Sequence, residues 1–325
     1  MGNGKDLFEA QLEEELLELS SSGRLPQAFF EAIDLDKTHL DASILRIVGG
    51  PGDSAFERPT AASLADDFQA ERIVRAFKRP SLLVAGNSFE STASEVWSHT
   101  LETHRSAIET SLPAVGRIEV KNHSNLDWVG TGFLVAPDVL VTNRHVAREF
   151  ARRHGSGFNW RRNHRGKLIQ PRVDFREEHR QPEEEEFDIV EVLHLAPPNA
   201  PDMALLRLES PSSIAPLALE ENLGIVEFVG AIGYPWRDSR VESHLIEAME
   251  RIFKGIFDVK RFAPGRLIPT EGEDLGHDCT TLGGNSGSAI IDLASGAAVG
   301  VHYGGYSDLN VAVPARVIRE ALEQL

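Results

Sequence analysis

Hydrophobic residues change their spacing along the chain near residue 112. Before this point they recur at helical intervals between breaks rich in glycine and proline. The clearest case is the segment 6–19, where glutamates separate Phe8, Leu12, Leu16 and Leu19. The pattern predicts a mostly α-helical region over residues 1–111, whose first apolar stripe packs within the protein or docks on a regulatory partner.

From residue 115 onward, short alternating or β-branched runs take over, with turn residues between them. This spacing predicts a mainly β domain over residues 112–325, closed by a helix over residues 314–325. An arginine-rich stretch, 148–165, is interpreted as a solvated loop, with partner or nucleic-acid binding as the lesser alternative. The predicted strands cover residues 115–120, 132–135, 139–142, 190–195, 204–208 and 225–232.

Ser286 stands in the stretch Gly284-Asn285-Ser286-Gly287, ahead of two apolar runs that predict a hairpin over residues 289–301. Glycines on both sides allow a tight turn that exposes the hydroxyl and directs backbone N–H groups to one point. An ordinary surface turn has the same composition. The candidate nucleophile therefore needs support from other residues.

Two upstream stretches supply that support, in the chain order His, Asp, Ser. His145 follows the apolar run 139–142, and an imidazole titrates near neutral pH, as a general base should. Asp202 precedes the apolar run 204–208, and hydrogen-bonded to an imidazole N–H it would orient the ring and stabilise the imidazolium. Taken one at a time, His145 could be a packed core residue and Asp202 a turn residue.

Together, the segments TGFLVAPDVLVTNRHVA, DMALLRL and TLGGNSGSAI resemble the trypsin-like serine peptidases, over residues 112–325. The resemblance implies a chymotrypsin-like fold, with two packed antiparallel β-barrels and the active site between them. It also implies a serine endopeptidase in which Ser286 is the nucleophile, His145 the general base and Asp202 the orienting carboxylate. By the same resemblance, the backbone N–H groups of Gly284 and Ser286 form the oxyanion hole.

The region around Ser286 is also similar to the bacterial glutamyl endopeptidases, because Asn285 precedes the serine and the segment VGVHYGG follows. That resemblance places Thr281 and His302 in a pocket for an acidic side chain, where a hydroxyl and an imidazolium would donate to the carboxylate. Gly304 would let the substrate backbone pair with this strand. A packed strand residue at His302 and an ordinary turn glycine at Gly304 are the alternatives.

Composition narrows the classes of function. The net charge of −17 argues against a general nucleic-acid binder. The acidic start lacks the pattern of a signal peptide, and no run is long and apolar enough to predict a membrane span. With one cysteine, Cys279, the sequence predicts a cytoplasmic protein without an intrachain disulfide. No cofactor is expected, and no metal site, because His277, Asp278 and Cys279 lack a second ligand cluster.

Three other interpretations were weighed against this prediction. The motif RIVGG at residues 46–50 spells a zymogen-activation site, but it lies far upstream of the first β run, and Asn285 has no charge for a new ammonium group. A non-catalytic scaffold or partner-binding protein would not need the turn at Ser286 beside both other residues. An esterase lacks its Gly-x-Ser-x-Gly pattern between strand and helix. Peptide or protein substrates, hydrolysed through an acyl-enzyme, are therefore expected.

Overall fold

The computed structural model of the chain describes residues 79–154, 157–237, 246–270, 272–306 and 309–325. The helices predicted before residue 79 and the RIVGG motif lie outside these ranges. All the described residues belong to one compact unit. None of the described helices has both the length and the hydrophobicity that crossing a membrane requires.

The described chain begins with a short hairpin and a long helix. Strands β1 (Leu82–Ala85) and β2 (Ser88–Phe89) pair, and helix α1 (Glu95–Ser111) follows them. Ser94 caps the helix by accepting a hydrogen bond from the amide of Trp97. The face of α1 that packs into the core carries Trp97, Leu101 and Ile108.

Among the described residues, six strands form a closed antiparallel barrel. They are β3 (Val115–Lys121), β4 (Trp128–Ala136), β5 (Val139–Thr142), β8 (Gln170–Asp174), β9 (Glu186–Leu195) and β10 (Ala204–Leu208). Their order around the barrel is β10-β5-β4-β3-β8-β9. Phe133, Leu140 and Leu206 are fully buried, and β5 is buried along its whole length, so these runs form strands because both of their faces bury apolar surface.

A helix and a hairpin follow β5. They are the short helix α2 (Arg144–Ala147), β6 (Ala151–His154) and β7 (Gly157–Trp160). The interpretation of residues 148–165 as a loop was wrong in this part, because β6 and β7 pair along their length. Aromatic residues anchor the hairpin: Phe150 is buried, and its ring centroid lies 6.0 Å from that of Trp160.

In the part of the chain that the structure describes, the remaining strands form a nine-stranded antiparallel sheet with β1 and β2. They are β11 (Val229–Gly233), β12 (Arg261–Gly265), β13 (Leu267–Ile268), β14 (Leu275–His277), β15 (Ala289–Asp292), β16 (Ala298–Tyr306) and β17 (Leu309–Pro314). The order is β13-β14-β17-β16-β15-β11-β12-β1-β2. Two helices accompany the sheet, α3 (Ile246–Phe253) and α4 (Ala315–Leu322).

The prediction of a mainly β fold with a β-barrel is confirmed by the closed six-stranded barrel. The sheet has an open strand order, so a second closed barrel stays a prediction. The boundary expected after residue 111 also stays a prediction. The structure shows that β1 pairs with β12, so residues 82–85 extend the sheet from the N-terminal side of that boundary.

A buried ion pair joins the barrel to the sheet. Lys260, which precedes β12, and Glu178, which follows β8, are both fully buried, and their charged atoms lie 3.3 Å apart. The Nζ atom of Lys260 also donates to the carbonyl oxygens of Leu112 and Phe175, at 3.0 and 2.8 Å. Burial lowers the pKa of Lys260 to about 8, although the charge of Glu178 opposes the shift. Three residues on the barrel side thus surround one ammonium group that is carried by the sheet side.

Removing the carboxylate of Glu178 should destabilise the protein. We expect Glu178→Ala to lower the free energy of unfolding by about 3–5 kcal/mol, because the ammonium of Lys260 is left buried without its partner. Denaturant unfolding of the wild type and the variant measures the difference. The control is Lys260→Met/Glu178→Leu, which removes both charges and should recover most of the loss. A loss of less than about 1 kcal/mol, typical of an exposed pair, would contradict this interpretation.

Candidate active site

Ser286 lies in a turn between β14 and β15 whose backbone requires glycine. Gly284 and Gly287 both have a φ of +91°. A Cβ on Gly287 would come within 1.8 Å of the carbonyl oxygen of Thr131, and one on Gly284 within 2.4 Å of the carbonyl oxygen of Tyr234. Any larger residue at either position would both strain the backbone and clash with a neighbouring strand.

Asn285 braces this turn from within. Its Nδ2 atom donates to the carbonyl oxygen of Leu282 at 3.1 Å, and its Oδ1 atom accepts a hydrogen bond from the hydroxyl of Ser288 at 3.2 Å. Asn285 itself is buried. Hydrogen bonds between neutral groups therefore hold Asn285 in place. A charged residue at this position could pair with a new N-terminal ammonium group, and asparagine cannot.

The barrel holds the same turn through Thr131 on β4. The amide of Thr131 donates to the carbonyl oxygen of Ser286 at 2.8 Å, and its hydroxyl donates to that of Gly284 at 2.9 Å. The hydroxyl also accepts a hydrogen bond from the amide of Tyr234, just after β11, at 3.2 Å. Thr131 is fully buried, and one residue thus ties the barrel, the sheet and the turn together. Thr131 opens the segment TGFLVAPDVLVTNRHVA, but the sequence pattern assigned it no role.

His145 and Asp202 reach Ser286 from the barrel. His145 lies in α2 directly after β5, and Asp202 lies just before β10, which pairs with β5. The Nε2 atom of His145 is 2.7 Å from Oγ of Ser286, and its Nδ1 atom is 2.5 Å from Oδ2 of Asp202. The other oxygen of Asp202 accepts a hydrogen bond from the backbone amide of His145 at 3.1 Å. The structure brings the three residues into one continuous hydrogen-bonded chain.

Asp202 is held in place by the two residues before His145. Asn143 donates from Nδ2 to the carbonyl oxygen of Asp202 at 2.9 Å, and Nε of Arg144 lies 3.8 Å from its Oδ1 atom. Burial raises the pKa of Asp202, but the charge and hydrogen bonds of His145, together with Arg144, outweigh burial and leave that pKa below its ordinary value. Asp202 is therefore ionised at neutral pH and can stabilise a positive charge on His145.

This arrangement can perform nucleophilic catalysis. A base within hydrogen-bond distance of a serine hydroxyl, itself oriented by a carboxylate, is the general requirement for activating such a nucleophile. The amides expected to bind an oxyanion, those of Gly284 and Ser286, lie in the same turn. The amide of Gly284 donates no hydrogen bond to any other described residue. A developing negative charge on a substrate oxygen could accept a hydrogen bond from it.

Thr281 and His302, expected to bind an acidic side chain, flank the turn. The amide of Gly287 donates to the carbonyl oxygen of His302 at 2.8 Å, and the amide of His302 donates to that of Ser288 at 2.9 Å. Both side chains are fully buried. The hydroxyl of Thr281 has no hydrogen-bond partner among the described residues. A buried hydroxyl in this state is available to a ligand and costs free energy while it has none.

A second histidine contacts His302. The Nε2 atom of His277, on β14, lies 3.2 Å from Nδ1 of His302, and both rings are fully buried. Burial lowers the pKa of His277 to about 3. Burial is the main cause that lowers the pKa of His302 well below its ordinary value. The neighbouring imidazoles of His277 and His145 lower it further. Both rings are neutral at pH 7, so His302 is not the imidazolium that the sequence suggested.

The residues after His277 have packing roles. Asp278 forms an ion pair with Arg79, with Oδ2 and Nη2 2.6 Å apart. Cys279 is fully buried, and burial raises the pKa of its thiol far above the ordinary value. Because the thiolate is the reactive form, Cys279 is a poor nucleophile and a poor metal ligand.

Gly304 lies on β16 beyond the end of its pairing with β15. That pairing runs as far as Val301, whereas Gly304 and Gly305 pair with Val311 and Asn310 of β17. A Cβ on Gly304 would meet nothing within 4 Å. Among the described residues no strand pairs with this part of β16 on the side opposite β17. An extended peptide therefore has space to approach the strand there.

Sequence comparison agrees with this geometry. The sequence profile of the trypsin-like peptidase domain matches residues 130–301, more than half of the chain. The chain therefore belongs to the trypsin-like peptidase family. A probable serine protease from Lysobacter enzymogenes is 27% identical over 285 residues, which cover 78% of this chain and 74% of that protein. Both findings indicate a hydrolase, and a peptidase domain implies peptide or protein substrates.

The buried histidine pair should make the protein sensitive to acid. The pKa of His277 is about 3 in the folded protein and 6.5 ordinarily, so between these values the unfolded chain binds more protons than the folded one. Stability is therefore lost as the pH falls through this window, by about 1.4 kcal/mol per pH unit. In a Ser286→Ala background, we expect the free energy of unfolding to fall about 2 kcal/mol more between pH 6.5 and 5 with His277 than with His277→Gln.

Denaturant unfolding at the two pH values measures this difference. The matched control is His99→Gln, which changes an exposed histidine on α1 and should leave the pH dependence as it is in the parent. Equal acid sensitivity in the parent and in His277→Gln would show that burial does not keep His277 neutral.

Proposed function

We propose that the protein is a serine endopeptidase that forms an acyl-enzyme on Ser286. The observation that carries the proposal is the continuous chain of contacts from Asp202 to His145 to Ser286, at 2.5 and 2.7 Å. His145 takes the proton of the hydroxyl as Oγ attacks the carbonyl carbon, and then gives that proton to the leaving amine. Water, activated by the same imidazole, hydrolyses the ester and frees Ser286.

The amides of Gly284 and Ser286 stabilise the oxyanion that forms during the attack. Support comes from Thr131, which binds the carbonyl oxygens of both residues and so fixes the backbone that carries the two N–H groups. Donors fixed before the reaction need no reorganisation when the charge develops. One such donor contributes about 3 kcal/mol to transition-state stability in comparable enzymes.

Thr281 and His302 form a pocket that prefers Glu or Asp before the scissile bond. The unpartnered hydroxyl of Thr281 can donate to a substrate carboxylate. If Nε2–H of His277 donates to Nδ1 of His302, the neutral ring of His302 carries its own proton on Nε2 and can donate as well. Two donors in a buried pocket would discriminate a carboxylate from an amide.

The rest of the proposal concerns the chain as a whole. The open edge of β16 at Gly304 pairs with the substrate backbone. The pocket fits the similarity to the bacterial glutamyl endopeptidases, and the nine-stranded sheet corresponds to the second barrel of the chymotrypsin-like fold. Residues 1–111 regulate the peptidase domain of residues 112–325 or bind a partner, and the enzyme acts in the cytoplasm. The apolar stripe of residues 6–19 supports the regulatory role, and the composition, with its single cysteine, supports the cytoplasmic location.

Profiling a peptide library with the wild type and Ser286→Ala tests the proposal. We expect the wild type to cleave after Glu or Asp and Ser286→Ala to be slower by about 10⁶-fold in kcat, because the residues of such a triad act as a unit. The matched control is Ser106→Ala, which removes an exposed hydroxyl on α1 and should keep full activity. Cleavage that persists in Ser286→Ala would rule out this nucleophile. A folded wild type that cleaves nothing would favour the scaffold interpretation.

Thr281→Val tests the pocket in the same assay. A hydrogen bond to a charged group is worth about 1.5–3 kcal/mol. We therefore expect the preference for Glu over Gln, as a ratio of kcat/KM values, to fall at least about 10-fold. Cleavage after Gln serves as the control and should change little. An unchanged ratio would remove Thr281 from the specificity pocket and leave the proposed nucleophile untouched.

A further inference from the structure

A cluster of positive charge follows the catalytic histidine in the sequence. Residues 144–168 carry eight arginine and lysine side chains and one acidic residue, Glu149, in a chain whose net charge is −17. Six of these cations are exposed on the β6–β7 hairpin and the segment after it. This basic face consists of Arg152, Arg153, Arg161, Arg162, Arg165 and Lys167.

The cations of the basic face are not neutralised by acidic neighbours. None of the six lies within ion-pair distance of a carboxylate among the described residues. Two arginines elsewhere do pair with acidic residues: Arg207 lies 3.0 Å from Glu191, and Arg237 contacts Glu250. Like charges held together repel one another, and here the paired strands fix Arg152 and Arg153, while an isolated bridge to Leu168 fixes Arg162. In so acidic a chain, the cluster indicates a surface shaped for an anionic ligand.

The basic face is attached to the helix that carries His145. Arg148 forms the C-terminal cap of α2, three residues after His145, and residues at this helical spacing lie about 5–6 Å apart. The guanidinium of Arg161 donates to the carbonyl oxygen of Arg148 at 2.7 Å, and its amide donates to that of Phe150 at 2.7 Å. A ligand bound at Arg161 would therefore lie close to the helix that carries His145.

The cations at the far end of the basic face border a surface cavity of about 280 Å³. Asn163 fixes this region, because its Oδ1 atom accepts hydrogen bonds from the amides of Arg165 and Lys167, at 2.9 and 3.0 Å. Ser124 and His164 also line the cavity and lie 3.1 Å apart, Oγ to Nδ1. The lining thus combines two cations with further hydrogen-bonding side chains, a combination that suits a carboxylate.

We infer that the basic face binds an acidic segment of the protein substrate while the scissile bond lies at Ser286. The inference rests on the proposed function and names its substrate class: proteins with clustered Asp and Glu residues beside the cleaved bond. Guanidinium groups match carboxylates in paired hydrogen bonds. The remaining surface, strongly acidic, repels such a segment and directs it to this side of the enzyme. The same acidic surface disfavours a long nucleic acid.

Peptides that share one cleavage sequence test the inference. Two peptides carry a run of glutamates, one before the cleavage sequence and the other after it. Each is compared with a peptide that carries glutamines at the same positions. We expect the wild type to cleave the glutamate peptide about 10-fold faster in kcat/KM at low ionic strength. The advantage should vanish near 1 M salt, where charges are screened within about 3 Å. Equal cleavage of both peptides at low salt would overturn the inference.

Arg152→Gln/Arg165→Gln/Lys167→Gln tests the location of the effect. The side chains of these three residues donate no hydrogen bond to other described residues, so the variant should cleave the glutamine peptide at the wild-type rate and lose the glutamate advantage. The matched control, Arg180→Gln/Arg251→Gln/Arg316→Gln, removes the same charge from exposed positions elsewhere and should keep the advantage. An advantage that survives in the first variant would overturn the inference.

Binding to Ser286→Ala protein separates this inference from the proposed function. Fluorescence anisotropy of the labelled peptides measures affinity without turnover, so a wild type that cleaves nothing would refute the proposed function and leave this test standing. Tighter binding of the glutamate peptide, lost in the triple variant of the basic face, is the expected result. Equal binding of both peptides would overturn the inference. So would an oligonucleotide that binds the basic face more tightly than the glutamate peptide.

Discussion

The hydrogen bonds of Thr131 hold the turn of Ser286 between the barrel and the sheet, and the geometry of the site depends on them. His145 and Asp202 come from the barrel, whereas Ser286 belongs to a turn between strands of the sheet. The 2.7 Å contact between His145 and Ser286 therefore exists only while the barrel and the sheet keep their relative position. Tyr234 supports this position, because its buried hydroxyl donates to the carbonyl oxygen of Val115 in the barrel at 3.3 Å.

The interior and the surface of the protein near Ser286 differ in charge. Inside, burial keeps His277 and His302 neutral, so the proposed pocket offers hydrogen-bond donors without a permanent charge that would need its own partner. Outside, the cations of the basic face have no acidic partner among the described residues and follow the helix of His145 in the chain. A buried neutral pocket can recognise one side chain through direct hydrogen bonds, while an exposed charged surface attracts an opposite charge over a distance of about one Debye length. The two features would select acidic substrates at different distances from the cleaved bond.

Local patterns in the sequence predicted about half of the described strands and failed where a contact is distant in the chain. The strands at 139–142 and 204–208 were predicted with their observed bounds, because continuous β-branched and leucine runs mark strands buried on both faces. Thr131 was missed because its partner Gly284 lies 153 residues away and a threonine between glycines has no signal of its own. The β6–β7 hairpin was not predicted, because its many arginines are typical of a solvated loop and only Phe158 and Trp160 are typical of a strand.

In the proposed mechanism, the contacts between the barrel and the sheet hold His145 against Ser286 and so activate its hydroxyl. Reaction with a fluorophosphonate, followed by mass spectrometry to locate the adduct, tests this mechanism, because only an activated serine is labelled rapidly. We predict one adduct, on Ser286, and slower labelling in Thr131→Val, which keeps the volume of the side chain and removes its hydroxyl. An adduct on a different residue, or none on the folded chain, would contradict this mechanism.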